Sequence, residues 1–174
     1  GDDFQVDPAV DSCAAPACAK TVLWDFMLGI DHPGCPMSGY WNLKGYDKTF
    51  DCDGHTVSDG GNPVGSAFKS LGSSSNYYKN NTVQNCVIIM NTTSNGYAIH
   101  ANYVANMTVK NNTIYVISGG MLMSNTENIT VHNNTVYHQL VGASINAAYG
   151  TISNNIFNHL PQTTANTNNL AIGG

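Results

Sequence analysis

The sequence predicts an all-β solenoid, a parallel β-helix, on three observations: a repeated phrase, the apolar columns that its copies form, and a composition poor in charge. The phrase Thr-Val/Ile-x-Asn-Asn/Cys begins at Thr82, Thr108, Thr130 and Thr151, so its starts lie 26, 22 and 21 residues apart. A period in this range, carried by β-branched residues, is typical of a repeat in which each unit adds one coil. We expect about five coils on this spacing.

Aligning the copies places apolar residues in two columns. The first column is Val83, Val109, Val131 and Ile152, and the second is Ile88, Ile114, Val136 and Phe157. Because alternate residues of a strand face the same side, both columns are predicted to point into the core. One coil cannot bury its own apolar face, so the stacked coils must form the core together.

An asparagine column separates the two apolar columns. Its members are Asn85, Asn111, Asn133 and Asn154. Asparagine tolerates left-handed backbone conformations, and its amide can bond the backbone of a turn. Counted by alternation from the valine column, these side chains are predicted to face inward at a bend, where stacked amides can bond one another as an asparagine ladder.

The chain divides into three predicted parts. Residues 1–48 do not repeat and form an N-terminal arm or cap, residues 49–160 form the coils, and residues 161–174 form a loose polar tail. Within the arm, the apolar run Thr21–Leu28 is predicted to be a first strand, with a short capping helix as the alternative. Each coil also holds an earlier strand, with candidates at residues 67–71, 97–101, 121–124 and 143–146.

The phrase Asp-Cys-Asp-Gly-His-Thr-Val at residues 51–57, followed by the Thr-Val-x-Asn-Asn repeats, resembles the right-handed parallel β-helix repeat proteins of the pectate-lyase-like group. Periplasmic copper-processing and archaeal surface proteins with such repeats are the most similar in pattern. The resemblance covers roughly residues 45–160 and implies a right-handed β-helix that starts near this phrase. It implies no activity, because the same fold hosts lyases, hydrolases, adhesins and inert spacers.

The composition indicates an extracellular or cell-surface protein and excludes several partners. Hydrophobic residues make up 42% of the chain and charged residues only 10%, with a net charge of -5 and no arginine. Without a basic patch, nucleic acid is not an expected partner. No apolar run reaches membrane-spanning length, so no membrane span is expected.

Five cysteines in such a chain indicate an oxidising compartment. Cys52 and Cys86 lie at related positions of successive coils, so they are predicted to stack and can form a disulfide. Cys18 and Cys35 flank the predicted first strand and can close it, which leaves Cys13 unpaired or available for an intermolecular bond. A Cys13–Cys18 bond and buried unpaired thiols are the alternatives.

The triplet Asn-x-Thr, which accepts N-glycans in secreted proteins, occurs six times. The predicted acceptors are Asn80, Asn91, Asn106 and Asn128, with Asn111 and Asn133 as poorer candidates because they belong to the inward column. Asn80, Asn106 and Asn128 each lie two residues before the repeated Thr, so alternation directs them outward, one above another. Sugars one coil apart are crowded, and we expect incomplete occupancy.

The coils offer few groups for catalysis. Lyases and glycosidases on this fold need clustered carboxylates on a coil face, for acid–base chemistry or calcium. From residue 60 onward Glu127 is the single acidic residue. The one acidic cluster, Asp51, Asp53 and Asp59 with His55, lies on the first coil, where turn chemistry accounts for it. We therefore expect no catalytic residue, no metal ligand and no cofactor, in a protein that is not an enzyme.

Two function classes remain. The first is a structural, self-associating, secreted glycoprotein that stacks end to end into an extracellular filament or surface layer, with itself as partner. Unpaired strand edges at the end of a short solenoid invite such pairing. The alternative is a carbohydrate-binding module, with carbohydrate cleavage a more distant option. Its support is a set of tyrosines that can form a sugar-binding surface: Tyr77, Tyr78, Tyr97, Tyr103, Tyr115, Tyr137 and Tyr149.

Overall fold

The computed structural model describes residues 41–59, 65–91 and 96–160, together with the strand backbone of residues 5–7, 20–22, 26–28 and 168–173. The strands are β1 Gln5–Asp7, β2 Lys20–Val22, β3 Phe26–Leu28, β4 Trp41–Leu43, β5 Thr49–Asp51, β6 Thr56–Ser58, β7 Ser66–Leu71, β8 Tyr78–Lys79, β9 Thr82–Gln84, β10 Val87–Met90, β11 Tyr97–Ala105, β12 Thr108–Lys110, β13 Thr113–Val116, β14 Gly119–Glu127, β15 Ile129–His132, β16 Thr135–His138, β17 Val141–Ala147, β18 Gly150–Ser153, β19 Ile156–His159 and β20 Asn168–Gly173. These described ranges contain no helix.

Three parallel sheets run along the described part of the chain, and from β5 onward each pass of the chain adds one strand to each of them. Sheet A has the order β1-β3-β5-β9-β12-β15-β18, sheet B the order β2-β4-β7-β11-β14-β17-β20, with β8 also paired to β11, and sheet C the order β6-β10-β13-β16-β19. The five strands of sheet C mark five passes, with four complete turns between them. This is the predicted all-β parallel solenoid.

The strand register confirms both apolar columns. Val83 pairs with Val109, which pairs with Val131, and the fourth member is Ile152. The second column runs in the same way from Ile88 to Phe157. The central members are fully buried, whereas Ile152 and Phe157 are half-buried because they belong to the last pass through sheets A and C.

Aromatic side chains fill the core near the first described coil. The ring of Phe50 lies 4.6 Å from that of Trp41 and 4.9 Å from that of Phe68, at tilted and edge-on angles that aromatic pairs prefer. Further along, the core consists of Val, Ile, Met and Ala from all three sheets. The core is therefore continuous along the described coils, as stacking requires.

The two ends of the chain extend the sheets further than the sequence predicts. The segment Thr21–Leu28 contributes two short strands, β2 and β3, and the alternative of a helix is wrong at residues 20–22 and 26–28. Within the expected loose tail, β20 pairs in parallel with β17, so residues 168–173 continue sheet B.

Candidate functional site

The asparagine column predicted to face inward lies instead at the surface. Asn85, Asn111, Asn133 and Asn154 have φ angles of 55°, 56°, 55° and 53°, so the left-handed conformation is confirmed. Asn85 is half-buried and the other three are exposed. A left-handed residue interrupts the strand alternation, and its side chain therefore turns outward together with the residue before it. The inward orientation of Asn85, Asn111, Asn133 and Asn154 was wrong for this reason.

Three of these amides, those of Asn85, Asn111 and Asn133, nevertheless form a ladder between coils. Nδ2 of Asn111 donates to Oδ1 of Asn85 at 3.3 Å, and Nδ2 of Asn133 donates to Oδ1 of Asn111 at 3.4 Å. Nδ2 of Asn85 donates to Oδ1 of Asp51 at 2.9 Å. The ladder thus ends at an acceptor-only carboxylate on the first coil.

The inward ladder consists of the next residue in the last three phrases, which sequence reasoning missed. Asn112 and Asn134 are buried, and Asn134 Oδ1 accepts both the backbone N–H and the Nδ2 of Asn112 at 3.0 Å. Asn155 Oδ1 receives the same pair of bonds from Asn134, at 3.0 Å and 2.9 Å. The available signal was the repetition of a second Asn at this position in three of the four phrases, although Cys86 holds the position in the first phrase.

A second exposed column consists of three predicted glycan acceptors, Asn80, Asn106 and Asn128. Their φ angles are 58°, 53° and 46°, and all three are exposed, as alternation predicted. Asn106 Nδ2 donates to Asn80 Oδ1 at 2.9 Å, and Asn128 Nδ2 donates to Asn106 Oδ1 at 2.9 Å. Asn80 Nδ2 donates to Asp47 Oδ1 at 2.6 Å. Neighbouring acceptors are therefore in direct contact, and a glycan on one Nδ2 must share that atom with the ladder.

The other candidate acceptors lie at the surface too. Asn91, which follows β10, is exposed, and its backbone N–H donates to Asp59 Oδ1 at 3.1 Å. Asn111 and Asn133 are also exposed, so burial no longer argues against them. Because all three side chains are exposed, exposure does not distinguish Asn91, Asn111 and Asn133 as glycan acceptors.

Carboxylates of the acidic cluster on the first coil accept hydrogen bonds from neighbouring strands and turns. Asp51 is buried and accepts three of them: from Gln84 Nε2 at 2.6 Å, from Asn85 Nδ2 at 2.9 Å and from the backbone N–H of Asp53 at 2.9 Å. Within the described residues, no group of three or more His, Cys, Asp or Glu side chains is arranged to hold a metal ion. The cluster anchors the exposed ladder and shapes the turn.

One predicted disulfide is present. Cys52 and Cys86 form a bond between successive coils, with their Cα atoms 4.7 Å apart and a separation of 34 residues along the chain. Cys13, Cys18 and Cys35 lie outside the described residues.

A polar cleft of about 500 Å³ opens on the side of the solenoid, beside the column of Asn106. One residue from each of four successive coils follows its length, because Tyr46 pairs with Lys79, Lys79 with Ala105, and Ala105 with Glu127. The small, buried Ala105 lies between the long charged side chains of Lys79 and Glu127. Ala105 therefore forms the floor of the cleft. Tyr149 closes the end near the last coil.

The segment between β7 and β8 forms a wall of this cleft. Ser74, Ser75, Asn76 and Tyr77 contribute hydroxyl and amide groups there. Tyr46 Oη donates to Asn76 Oδ1 at 2.8 Å, and the ring of Tyr77 packs edge-on against Tyr103 with centroids 5.7 Å apart. These contacts hold two of the three tyrosines in place. Sequence reasoning missed the cleft, although the isolated position of Glu127 was a signal.

Comparison with known proteins agrees with this architecture. Residues 45–170 match the family model described as a right-handed beta helix region. No curated protein and no solved structure matches the chain significantly. None of the described residues belongs to a helix long and apolar enough to cross a membrane.

Proposed function

The chain belongs to the family of right-handed β-helix proteins, and from this premise we propose that it is a secreted structural glycoprotein that stacks end to end into an extracellular filament or surface layer. The observation that carries the proposal is the coincident end of the three sheets. Among the strands that the structure describes, β18, β19 and β20 are the last of sheets A, C and B. Such edges are templates for the addition of further strands.

The edge of β19 has backbone groups suited to this addition. Ile156 and Leu160 donate their backbone N–H groups to Asn134 and His138 of the preceding coil, at 2.8 Å and 2.7 Å. Because the direction of these groups alternates along a parallel ladder, those of Phe157 and His159 point to the opposite edge. Beside them Ile156 is 54% exposed and Phe157 is half-buried, so apolar surface accompanies the edge.

A second copy is the partner that best suits this edge. The two edges of a parallel sheet present complementary halves of the same hydrogen-bond ladder, and all the strand pairs of sheets A, B and C are parallel. The last strand of one copy is therefore complementary to the first strand of another. Such a contact is heterologous and grows into a filament unless rotation closes it.

Secretion and glycosylation are further parts of the proposal. The Cys52–Cys86 disulfide supports an oxidising compartment. The exposed Asn-x-Thr residues support glycan attachment along one side of the filament at Asn80, Asn106 and Asn128, and at Asn91 after strand β10. Since Asn80, Asn106 and Asn128 contact one another through their amides, glycans on adjacent members would exclude each other.

The proposal is tested by electron microscopy of native, unheated material and of two recombinant variants. His159→Pro removes a backbone N–H at the open edge, whereas His159→Ala loses the same imidazole and keeps the N–H. We expect ordered fibres from the native protein and from H159A, and folded monomers from H159P, with the β-rich circular dichroism spectrum retained. Isolated monomers in native material, or normal fibres from H159P, would contradict stacking through this edge.

Carbohydrate binding is the second candidate function, and the tyrosine-lined cleft favours it. Concave sites of about 300 to 1,000 Å³ are typical of small-ligand binding, and this cleft of about 500 Å³ lies in that range. The two functions are compatible, because the cleft lies on the side of the solenoid and β19 lies at its end.

A further inference from the structure

The cleft beside Asn106 combines features that the filament does not require. Tyr149 is 61% exposed and Tyr46 is 47% exposed, although large aromatic side chains gain free energy from burial. Both belong to the cleft, one toward each end of it. Exposed aromatic rings at the two ends of a polar cleft indicate a ligand with apolar faces and polar edges.

The distance between these rings suggests the length of the ligand. Tyr46, Lys79, Ala105 and Glu127 occupy successive coils, and Tyr149 lies one coil beyond Glu127. At roughly 4.8 Å per coil, the cleft therefore extends over about 14 to 19 Å along the solenoid axis. That length accommodates more than one sugar ring in a row.

The charges of the cleft indicate a ligand without net charge. Lys79 and Glu127 supply one positive and one negative group, and Ala105 separates them. Recognition of a uronate polymer or a phosphate would need an excess of positive charge, which the cleft does not have. Hydroxyl groups can instead accept from the Lys79 ammonium and donate to the Glu127 carboxylate.

We propose that this cleft is a binding site for a neutral saccharide, with pyranose rings stacked on Tyr149 and Tyr46 and hydroxyl groups bonded by Lys79, Glu127 and Asn76. The C–H face of a pyranose ring packs on an aromatic face, and its equatorial hydroxyl groups reach the polar wall. The inference rests on the carbohydrate-binding function proposed above and does not depend on filament assembly.

The saccharide in the cleft can come from two sources, because Asn106 lines the cleft and is also the first residue of an Asn-x-Thr motif. A pyranose can come from a free oligosaccharide or from a glycan attached to Asn106 of the same chain. In the second case the glycan folds back onto the tyrosines and fills the cleft. The experiment therefore compares the chain with and without its N-glycans.

The test measures binding of chitobiose, maltotriose and trigalacturonate to the full chain by NMR titration and calorimetry. For chain made without N-glycans, we expect a neutral probe to bind, and Tyr149→Ala and Glu127→Gln to weaken it at least tenfold. Tyr115→Ala is the matched control, because the structure places Tyr115 outside the cleft that Tyr46, Tyr77 and Tyr149 line. Tyr115 is 40% exposed and stacks on Tyr137. Loss of binding with Y115A as well would overturn the assignment to the cleft.

The remaining outcomes separate the possibilities. If the chain's own glycan fills the cleft, glycosylated protein does not bind the free probes, and Asn106→Gln restores binding. Binding of trigalacturonate alone would overturn the neutral saccharide and leave carbohydrate binding standing. The chain without glycans could also bind none of the three probes, with no shift of tyrosine signals on glycosylation. This result would overturn both the free oligosaccharide and the attached glycan as ligands of the cleft.

Discussion

The adjacent residues Asn133 and Asn134 of the third phrase are expected to contribute unequally to the free energy of unfolding. Asn134 is buried, and its Nδ2 donates to the backbone carbonyl groups of Val109 and His132 at 3.0 Å, while its Oδ1 accepts from Asn112. Asn133 is exposed, and its one ladder bond is 3.4 Å long. Loss of a buried amide leaves donors and acceptors without water, whereas an exposed one is readily replaced by solvent.

We therefore expect Asn134→Ala to lower the free energy of unfolding by about 3 kcal/mol or more, since each buried unsatisfied group costs about 1 to 3 kcal/mol. Asn133→Gly is the matched control, because Gly tolerates the positive φ, and we expect a change below about 1 kcal/mol. Urea denaturation followed by circular dichroism measures both. Equal losses would mean that burial does not distinguish the two amides.

His100 introduces a dependence of stability on pH. It lies on β11, beside Lys69 of β7 and Leu122 of β14, with the ring of Tyr97 at 5.9 Å. Burial, and secondly the charge of Lys69, lower the pKa of His100 below its ordinary value of 6.5. The unfolded chain therefore binds this proton more readily than the folded chain does.

The stability due to neutral His100 is thus complete above about pH 6.5 and is lost as the pH falls toward the lowered pKa of the folded state. We expect His100→Gln to flatten the decline in melting temperature between pH 7.5 and pH 5. Lys69→Met should flatten it in part, because burial remains. An unchanged slope in H100Q would show that other groups cause the acid sensitivity.

Residues of the phrase show how far sequence reasoning reaches. The Val83 and Ile88 columns were predictable because a period of 2 within strands and about 22 between coils places them without knowledge of the turns. The orientation of Asn111 and Asn112 was not, since one left-handed residue shifts the alternation by one position. The cleft was predictable only from the isolated position of Glu127, because its shape depends on the small Ala105 between two coils and on the segment between β7 and β8 that precedes Lys79.

At the scale of elements, the disulfide joins two successive turns that follow strands β5 and β9. The chain-entropy model relates its effect to the length of the closed loop, here 34 residues. We expect the double variant Cys52→Ser, Cys86→Ser to lose about 4 kcal/mol of unfolding free energy under non-reducing conditions. Wild-type protein measured with a reducing agent should match the variant, and a loss below about 1 kcal/mol would contradict a role in stability.

The whole molecule is a linear array, so its stability varies along its length. In such an array each coil contacts mainly its neighbours, and the end coils open more readily than the central ones. For dissociated monomers we expect amide hydrogen exchange to be fastest in β18 and β19 and slowest in β12 and β13. Assembly should protect β18 and β19 specifically. The same exchange pattern in monomer and fibre would argue against an interface at this end.

The exposed ladders also have a direction. In both of them each Nδ2 donates toward the coil before it, from Asn128 through Asn106 and Asn80 to Asp47, and from Asn133 through Asn111 and Asn85 to Asp51. The dipoles of these side-chain amides consequently add along the solenoid axis, as peptide dipoles do along a helix. A fibre whose subunits all point the same way would accumulate this orientation, and its two tips would differ electrostatically and in the rate at which they capture new subunits.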